Sequence, residues 1–273
     1  MRMSISAVVV TYNRPGEVKK AVDSLVSQSV KPFEIIIIDD GSLPPLSMKV
    51  GGSKMKIIRF DQEIGLSRAR NYGTKVAKGE YIAFIDDDCI ASKHWIEEIQ
   101  KGIRAGGDIL GGPIRPRFRA KPPNWWNEKD FGYFVGVGNS ETRNIWGANM
   151  VFRKEVFRKI GVFNPNIGRQ KGKLLCDEES NLIAKGKKSC KILFMPKAEV
   201  FHLVTSERLT LSYIIRWAYY SGKSQKIAQG LNPWAFYLFL KAMIALLSSF
   251  IRSTKSARIQ KIAVMAEQVG KIV

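Results

Sequence analysis

Residues 81–88, YIAFIDDD, constrain this chain more than any other stretch. An apolar run with aromatic and β-branched side chains reads as a buried strand. It ends in three consecutive acids, Asp86, Asp87 and Asp88. Adjacent carboxylates repel one another, and two arrangements tolerate them. A divalent cation such as Mg2+ or Mn2+ takes carboxylate oxygens and keeps positions open for substrate phosphates. Alternatively, a solvated acidic turn merely stops the strand. In an α/β sheet, ligands bind outside the carboxyl ends of the strands.

The chain before this strand has the same grammar. Residues 4–10 form a continuous β-branched run, read as a buried parallel strand, that ends in Thr11-Tyr12-Asn13-Arg14-Pro15. A helix is expected over 17–29, where Val18, Ala21, Val22, Leu25 and Val26 fall at helical spacing. A second strand, 34–38, stops at Asp39-Asp40-Gly41-Ser42. Strand, helix, strand is a βαβ unit with a right-handed crossover, so both loops open on one sheet edge and Tyr12 and Asp40 face one crevice. A Pro/Gly loop over 43–53, a strand over 56–60 and a helix from GLSRARNYG to residue 77 lead into the acidic strand. A helix at 93–104, with His94 on its surface, and a strand at 108–112 follow.

Periodicity then fails between residues 113 and 144, where Pro, Gly, Trp and Arg accumulate, and a lid or binding loop is expected. Trp125 and Trp126 at its middle read either as a platform for a sugar or lipid face or as the loop's own small core. WGANMVF at 146–152 resumes as a strand, 154–160 as a short helix, and Asp177-Glu178-Glu179-Ser180 leads a helix to about 184. Strands are expected at 191–195 and 198–202.

Length permits one large α/β domain, with or without a small appendage. The balance of 44 basic against 24 acidic residues gives a net charge of +20. That points to an anionic partner, whether polyanionic substrate, nucleic acid or membrane surface, or else to a lysine-rich solvated face. No RNP, zinc-finger or helix-turn-helix signal supports a specific nucleic acid. Three cysteines without a CxxC pair indicate neither zinc nor disulfides and fit a reducing cytosol. MRMSISAVVV is not read as a signal peptide. From residue 209 the chain reads helical. Residues 233–251 are apolar apart from Lys241 and two serines, a bilayer's length, but the charge favours an interfacial helix over a span. Residues 241–273 carry Lys241, Arg252, Lys255, Arg258, Lys261 and Lys271 against Glu267 alone, which reads as a membrane-surface anchor. The alternative is a helix pair packed on the catalytic domain or on a second copy of the chain.

The ordered set VVVTYNRP, IIIIDDGS, GLSRARNYG, GEYIAFIDDD, WGANMVF, DEES and AEVFH resembles the family-2 glycosyltransferases of GT-A fold, over roughly residues 4–225. Each motif alone is weak; seven in the family's order, at loops placed on one sheet edge, are specific. The resemblance implies an α/β fold with a mostly parallel Rossmann-like sheet and a C-terminal helical extension. It divides the chain into a catalytic domain at 1–225, with a nucleotide-binding part at about 1–112 and an acceptor-binding part at 113–225, and helices at 226–273. It implies inverting transfer of a sugar from a nucleotide-diphosphate donor, expected to be a UDP-sugar, to a hydroxyl of a glycan or lipid-linked acceptor. It also implies a divalent cation, Mn2+ or Mg2+.

Position by position, the resemblance puts Tyr12 against the nucleotide base, with Thr11 and Arg14 beside it and Asp40 accepting a hydrogen bond from the base. Arg70 lies by base and phosphates. In the acidic triplet, Asp88 is the expected metal ligand and Asp86 or Asp87 approaches ribose or donor sugar, while His202 completes the metal shell or touches the diphosphate. Glu179 occupies the place of the family's catalytic aspartate. Glutamate is longer by a methylene, so Glu178 and Asp177 stay open as the base. Trp146, Gly147 and Asn149 lie beneath donor sugar and acceptor, with Trp125 and Trp126 as further acceptor contacts. The expected partners are donor, acceptor, the cytoplasmic face of a membrane through the C-terminal helices, and a second copy of the chain.

Two other classes compete. One is a basic membrane- or nucleic-acid-binding module whose acids are structural. The other is a sugar nucleotidyltransferase, whose early GxGxR loop is replaced here by TYNRP; P-loop and Rossmann glycine patterns are also missing from the sequence.

Overall fold

A computed structural model describes residues 3–48, 54–232, 234–252 and 254–273. Part of the expected 43–53 loop and Pro233 lie outside the described residues. In chain order the elements are β1 (Ile5–Thr11), α1 (Pro15–Val26), β2 (Glu34–Asp39), β3 (Met55–Arg59), α2 (Leu66–Val76), β4 (Tyr81–Ile85), β5 (Cys89–Ala91) and α3 (Trp95–Arg104). They continue with β6 (Ile109–Gly111), β7 (Ile114–Phe118), α4 (Glu128–Phe131), β8 (Asn149–Arg153), α5 (Val156–Ile160), α6 (Glu178–Gly186), β9 (Ile192–Phe194) and β10 (Val200–Val204). Three helices close the chain: α7 (Leu211–Gln229), α8 (Ala235–Arg252) and α9 (Lys255–Ile272).

The main sheet has the strand order β3-β2-β1-β4-β8-β6-β9. β1, β2, β3 and β4 are mutually parallel, and β8 enters antiparallel to both β4 and β6. Strand parity divides the core. Ile5, Ala7 and Val9 of β1 face α1 and α3, burying Val22, Leu25, Trp95 and Ile99. Val8, Ile36 and Ile38 face the other way, toward α2, α5 and α6, with Phe152, Phe163 and Leu182. Helix α1 starts two residues earlier than its periodicity predicts, because Pro15 pre-sets the helical φ at N1. Val26, expected on the apolar face, ends the helix exposed.

The stretch read as an irregular lid is more ordered than expected. β7 joins β10 in parallel, and β5 joins β10 antiparallel, making a small second sheet. Strand β7 hides from sequence reasoning because Pro116 sits inside it, a residue tolerated at a sheet edge. The stretch then makes α4, capped by Asn127, whose Oδ1 accepts Asp130 N–H at 2.9 Å, and a 3₁₀ turn over Gly132–Val135.

Helix α7 runs unbroken through the expected boundary at 225/226. α9 returns along it at very close range: a Cβ on Gly222 would lie 1.9 Å from Glu267 O, and one on Gly270 would lie 2.0 Å from Tyr219 O. Only glycine lets two helix backbones approach so far. Ser256 Oγ also donates to Asp130 Oδ2 beside α4 at 3.4 Å, so α9 is docked on the rest of the chain. Among the described residues, no helix is long and apolar enough to cross a membrane.

Candidate active site

The carboxyl ends of β1, β2 and β4 meet at one edge of the sheet, and the acidic triplet lies there. Asp87 and Asp88 are buried, which overturns the solvated-turn reading. Guanidinium groups offset the repulsion. Arg14 Nη1 donates to Asp87 Oδ1 and Asp88 Oδ2, both at 3.1 Å, and Thr11 Oγ1 donates to Asp87 Oδ2 at 2.8 Å. Arg208 Nη2 donates to Asp88 Oδ2 at 2.6 Å, and His202 Nε2 stands 3.2 Å from Asp88 Oδ1. Burial favours the neutral acid at both positions, but the outcomes diverge. At Asp88 the nearby His202 and Arg208 overcome burial and hold the carboxyl well below its usual range. Asp87, pushed by burial and by Asp88, rises to about 7.

A first cavity opens above this edge. Tyr12, Arg14, Asp40 and the triplet line it, as the βαβ argument requires. The Tyr12 side chain is half exposed at the wall. Asp39 is structural, accepting Ser42 N–H at 2.9 Å and Leu46 N–H at 3.0 Å. Asp40 straps β2 to the segment entering α2, accepting Ile64 N–H at 2.8 Å and Gly65 N–H at 3.0 Å. Burial, with Glu63 and Asp39 near, lifts Asp40 to about 6.

A second cavity lies beside the first, lined by Trp146, Gly147, Tyr133, Trp217 and the acids that open α6. Arg70 is buried between the two acidic groups, its Nη2 donating to Asp86 Oδ1 at 2.8 Å and its Nη1 to Glu178 Oε1 at 2.5 Å. It is therefore neither a solvated charge nor a wall of the first cavity. The three acids before and within α6 differ in freedom. Glu178 is spent on Arg70. Asp177, in a left-handed conformation with φ 67°, accepts hydrogen bonds from Ser221 Oγ at 3.0 Å and Tyr133 OH at 3.3 Å. Glu179 has no ion pair among the described residues; its Oε1 accepts the Gly147 N–H at 3.1 Å. Burial, then Glu178 and Asp177, raise Glu179 to about 8. Leu66, Asp86, Arg169 and Arg208 border both cavities, which therefore adjoin.

Three expected sugar contacts lie elsewhere. Asn149 is buried, with Oδ1 accepting Trp95 Nε1–H at 2.9 Å and Nδ2 donating to Pro113 O at 3.2 Å and Ala198 O at 2.8 Å, so its side chain ties three core segments and faces no sugar. Trp125 packs edge-on against Phe131 at 5.1 Å and Trp126 against Phe118 at 4.9 Å; neither lines either cavity, and the loop's-own-core reading holds. Aromatic walls come instead from Tyr133 and Trp217, 4.8 Å apart. Sequence reasoning passed over these two and Arg169 and Arg208, because a tyrosine in an aperiodic loop and two arginines in a chain this basic carry no local signal.

The fit of a divalent cation rests on Asp88 and His202. Ligand atoms of Asp88, Cys89 and His202 lie within 4.8 Å of one another; His202 Nε2 faces Asp88 with Arg208 Nη1 2.7 Å away, and Nδ1 is buried without a hydrogen-bond partner among the described residues. Carboxylate and imidazole suit Mn2+ well and Mg2+ through the oxygen. Burial holds the Cys89 thiol protonated, which makes it a poor ligand for either ion.

The family model described as "Glycosyl transferase family 2" matches residues 6–161, more than half of the chain. A Haloferax volcanii protein described as "Glucosyl-dolichyl phosphate glucuronosyltransferase" is 26% identical over 250 residues, which cover 85% of this chain and 80% of that one. Among solved structures, the mannosyltransferase PcManGT from Pyrobaculum calidifontis, in complex with GDP-Man and Mn2+, superposes with a TM-score of 0.66 at 13% identity, covering 100% of this chain and 88% of its own. S. aureus TarS 1-349 in complex with UDP gives 0.55 at 17% identity, covering 98% and 90%. These likenesses show a GT-A fold.

Proposed function

This chain belongs to glycosyl transferase family 2, and on that premise we propose that it moves a sugar from a nucleoside-diphosphate donor to an acceptor hydroxyl with inversion, Glu179 taking the proton. The observation that carries this is the contrast within one helix turn: Glu178 is locked to Arg70, while Glu179 makes no ion pair among the described residues and has a raised pKa in a cavity next to the acidic triplet. A general base works best with a pKa near the operating pH.

The nucleoside occupies the first cavity, against Tyr12, with Asp40 and Asp87 at base and ribose. The sugar reaches into the second cavity under Trp146 and Gly147. The acceptor oxygen attacks the anomeric carbon on the face opposite the phosphate, Glu179 removes its proton, and the anomeric C–O bond breaks as the nucleoside diphosphate leaves. A divalent cation held by Asp88 and His202 neutralises charge on the diphosphate when bound. The solved neighbours carry UDP and GDP-mannose, which supports this donor class; UDP-sugars are the first to test. In this reading residues up to about 112 hold most of the nucleotide, and 113–225 bind the acceptor and meet the donor sugar.

The acceptor is a glycan or lipid-linked glycan, in keeping with the lipid-linked sugar in the archaeal relative's description. The enzyme works peripherally on the cytoplasmic face of a membrane. Support comes from Trp234, Tyr237, Leu240 and Ile244 of α8 and the turn before it, all exposed along one helical side with Lys241 among them, and from three free thiols.

The test is calorimetric binding of UDP- and GDP-sugars with and without Mn2+ or Mg2+, followed by transfer assays with the anomeric configuration of the product determined. Glu179→Gln binds donor and fails to transfer. Normal transfer by that variant removes Glu179 as base, and a retained configuration removes the single-displacement mechanism. Vesicles containing anionic lipid bind the wild-type chain, and Trp234→Ser/Tyr237→Ser binds them weakly; equal binding removes the membrane part.

A further inference from the structure

Four arginines line the two cavities: Arg14, Arg70, Arg169 and Arg208. Three are bound to acids: Arg14 to Asp87 and Asp88, Arg70 to Asp86 and Glu178, Arg208 to Asp88. Arg169 is different. Its guanidinium makes no ion pair among the described residues, and its Nη2 donates to the Tyr213 hydroxyl at 3.2 Å. Burial works against its charge, while the Tyr213 oxygen and the field of Asp88 and Asp86 hold it protonated. A half-buried cation beside a cavity without a partnered anion is costly unless a ligand supplies one.

The position is also fixed before any ligand arrives. Leu66 N–H, at the start of α2, donates to Arg169 O at 2.9 Å, and Ser67 Oγ donates to Ile167 O at 2.6 Å. Between them, Gly168 takes φ +91° and leaves no room for a Cβ, which would lie 2.5 Å from Ser67 Oγ. The first turn of α2 thus clamps the loop from below while Tyr213 of α7 holds the fork from the side. Arg169 is one of four residues that border both cavities, and among the described residues it carries the one guanidinium there not already bonded to a carboxylate.

From this we propose that Arg169 binds the β-phosphate of the donor, at the oxygen that parts from the sugar, and stabilises the leaving nucleoside diphosphate. The inference rests on the donor class proposed above. With the nucleoside in one cavity and the sugar in the other, the diphosphate crosses where they adjoin, and Arg169 borders both cavities there. No proton moves: the guanidinium donates N–H bonds to oxygens whose charge grows as the C–O bond breaks. A donor placed in advance and aimed at developing charge acts more on the transition state than on the bound donor. Arg14 lines the first cavity alone, and Arg208 already spends Nη1 on His202 and Nη2 on Asp88.

The experiment is calorimetry on the full chain with Mn2+, comparing the diphosphate and monophosphate of whichever nucleoside, uridine or guanosine, the wild type binds. Arg169→Ala weakens the diphosphate by about tenfold or more and leaves the monophosphate within about twofold, the unchanged monophosphate also showing that the variant is folded. Arg169→Lys falls between, since an ammonium keeps charge and loses the fork. In transfer assays Arg169→Ala lowers kcat more than it raises the donor KM. Equal loss of both nucleotides makes Arg169 a structural residue and overturns the proposal, as does an unchanged diphosphate affinity. A wild type that binds neither diphosphate overturns the donor reading itself and the proposal with it.

Discussion

The carboxylate of Glu179 accepts the backbone N–H of Gly147 at 3.1 Å, joining the first turn of α6 to the segment that enters β8. Glu179 lines one cavity with the aromatic rings of Trp146, Tyr133 and Trp217. It also sets what pH should do.

A base works ionised. With Glu179 raised to about 8, kcat/KM climbs with pH through about 8 and levels above it. Glu178→Gln removes an adjacent negative charge that helps raise Glu179, so the limb moves to lower pH. Glu179→Gln has no such limb and no transfer. Rate profiles of the three proteins check this, and a limb that stays put in Glu178→Gln removes the electrostatic coupling.

Asp88→Ala leaves His202 Nε2 with Arg208 Nη1 alone and leaves Arg208 and Arg14 each with one carboxylate contact fewer. Donor affinity with Mn2+ falls to the level seen without metal, and titration with EDTA no longer changes it. Asp87→Asn keeps a response to metal, because its oxygens are engaged by Thr11 and Arg14.

Asn149→Ala leaves Trp95 Nε1 and Ala198 O without their partner in the core, while Pro113 O keeps the Val200 N–H. Orphaned buried groups cost about 1–3 kcal/mol each, so a loss of about 3 kcal/mol or more is expected in urea unfolding. Donor and acceptor selectivity stay as in the wild type. A change of selectivity at unchanged stability would restore the sugar-contact role that the sequence suggests.

Gly222→Ala puts a methyl group against the Glu267 carbonyl across the α7/α9 crossing. Overpacking of this kind costs about 1–3 kcal/mol. Protease cleavage within α9 quickens, and transfer falls too, because Ser221 beside it anchors Asp177 at the head of α6. Gly230→Ala is a poor control, since φ 83° there strains any side chain; Gly16→Ala, with open space around it, serves instead.

Much of the catalytic half was legible because its signals are local. A continuous apolar run buried on both faces, a proline that starts α1 and acids that end β2 and β4 each follow from a few neighbouring residues, and the βαβ rule then brings Tyr12, Asp40 and the triplet to one edge. The loop from 113 to 144 was illegible for the opposite reason. β7 is a strand only because β10, more than eighty residues later, lies beside it, and Pro116 cancels its local signal.

What the sequence determined by itself is the strands of the main sheet, in chain order, and which acids stand at their carboxyl ends, since chain periodicity and turn chemistry act over a few residues. The tertiary structure alone decided how those charges are shared: that Arg70 takes Glu178 and frees Glu179, that Arg208 and Arg14 hold Asp88, that Arg169 keeps an open fork, and that Asn149 turns inward. Charge pairing and burial are set by distances between segments far apart in the chain, and no residue carries its partner's position in its own neighbourhood.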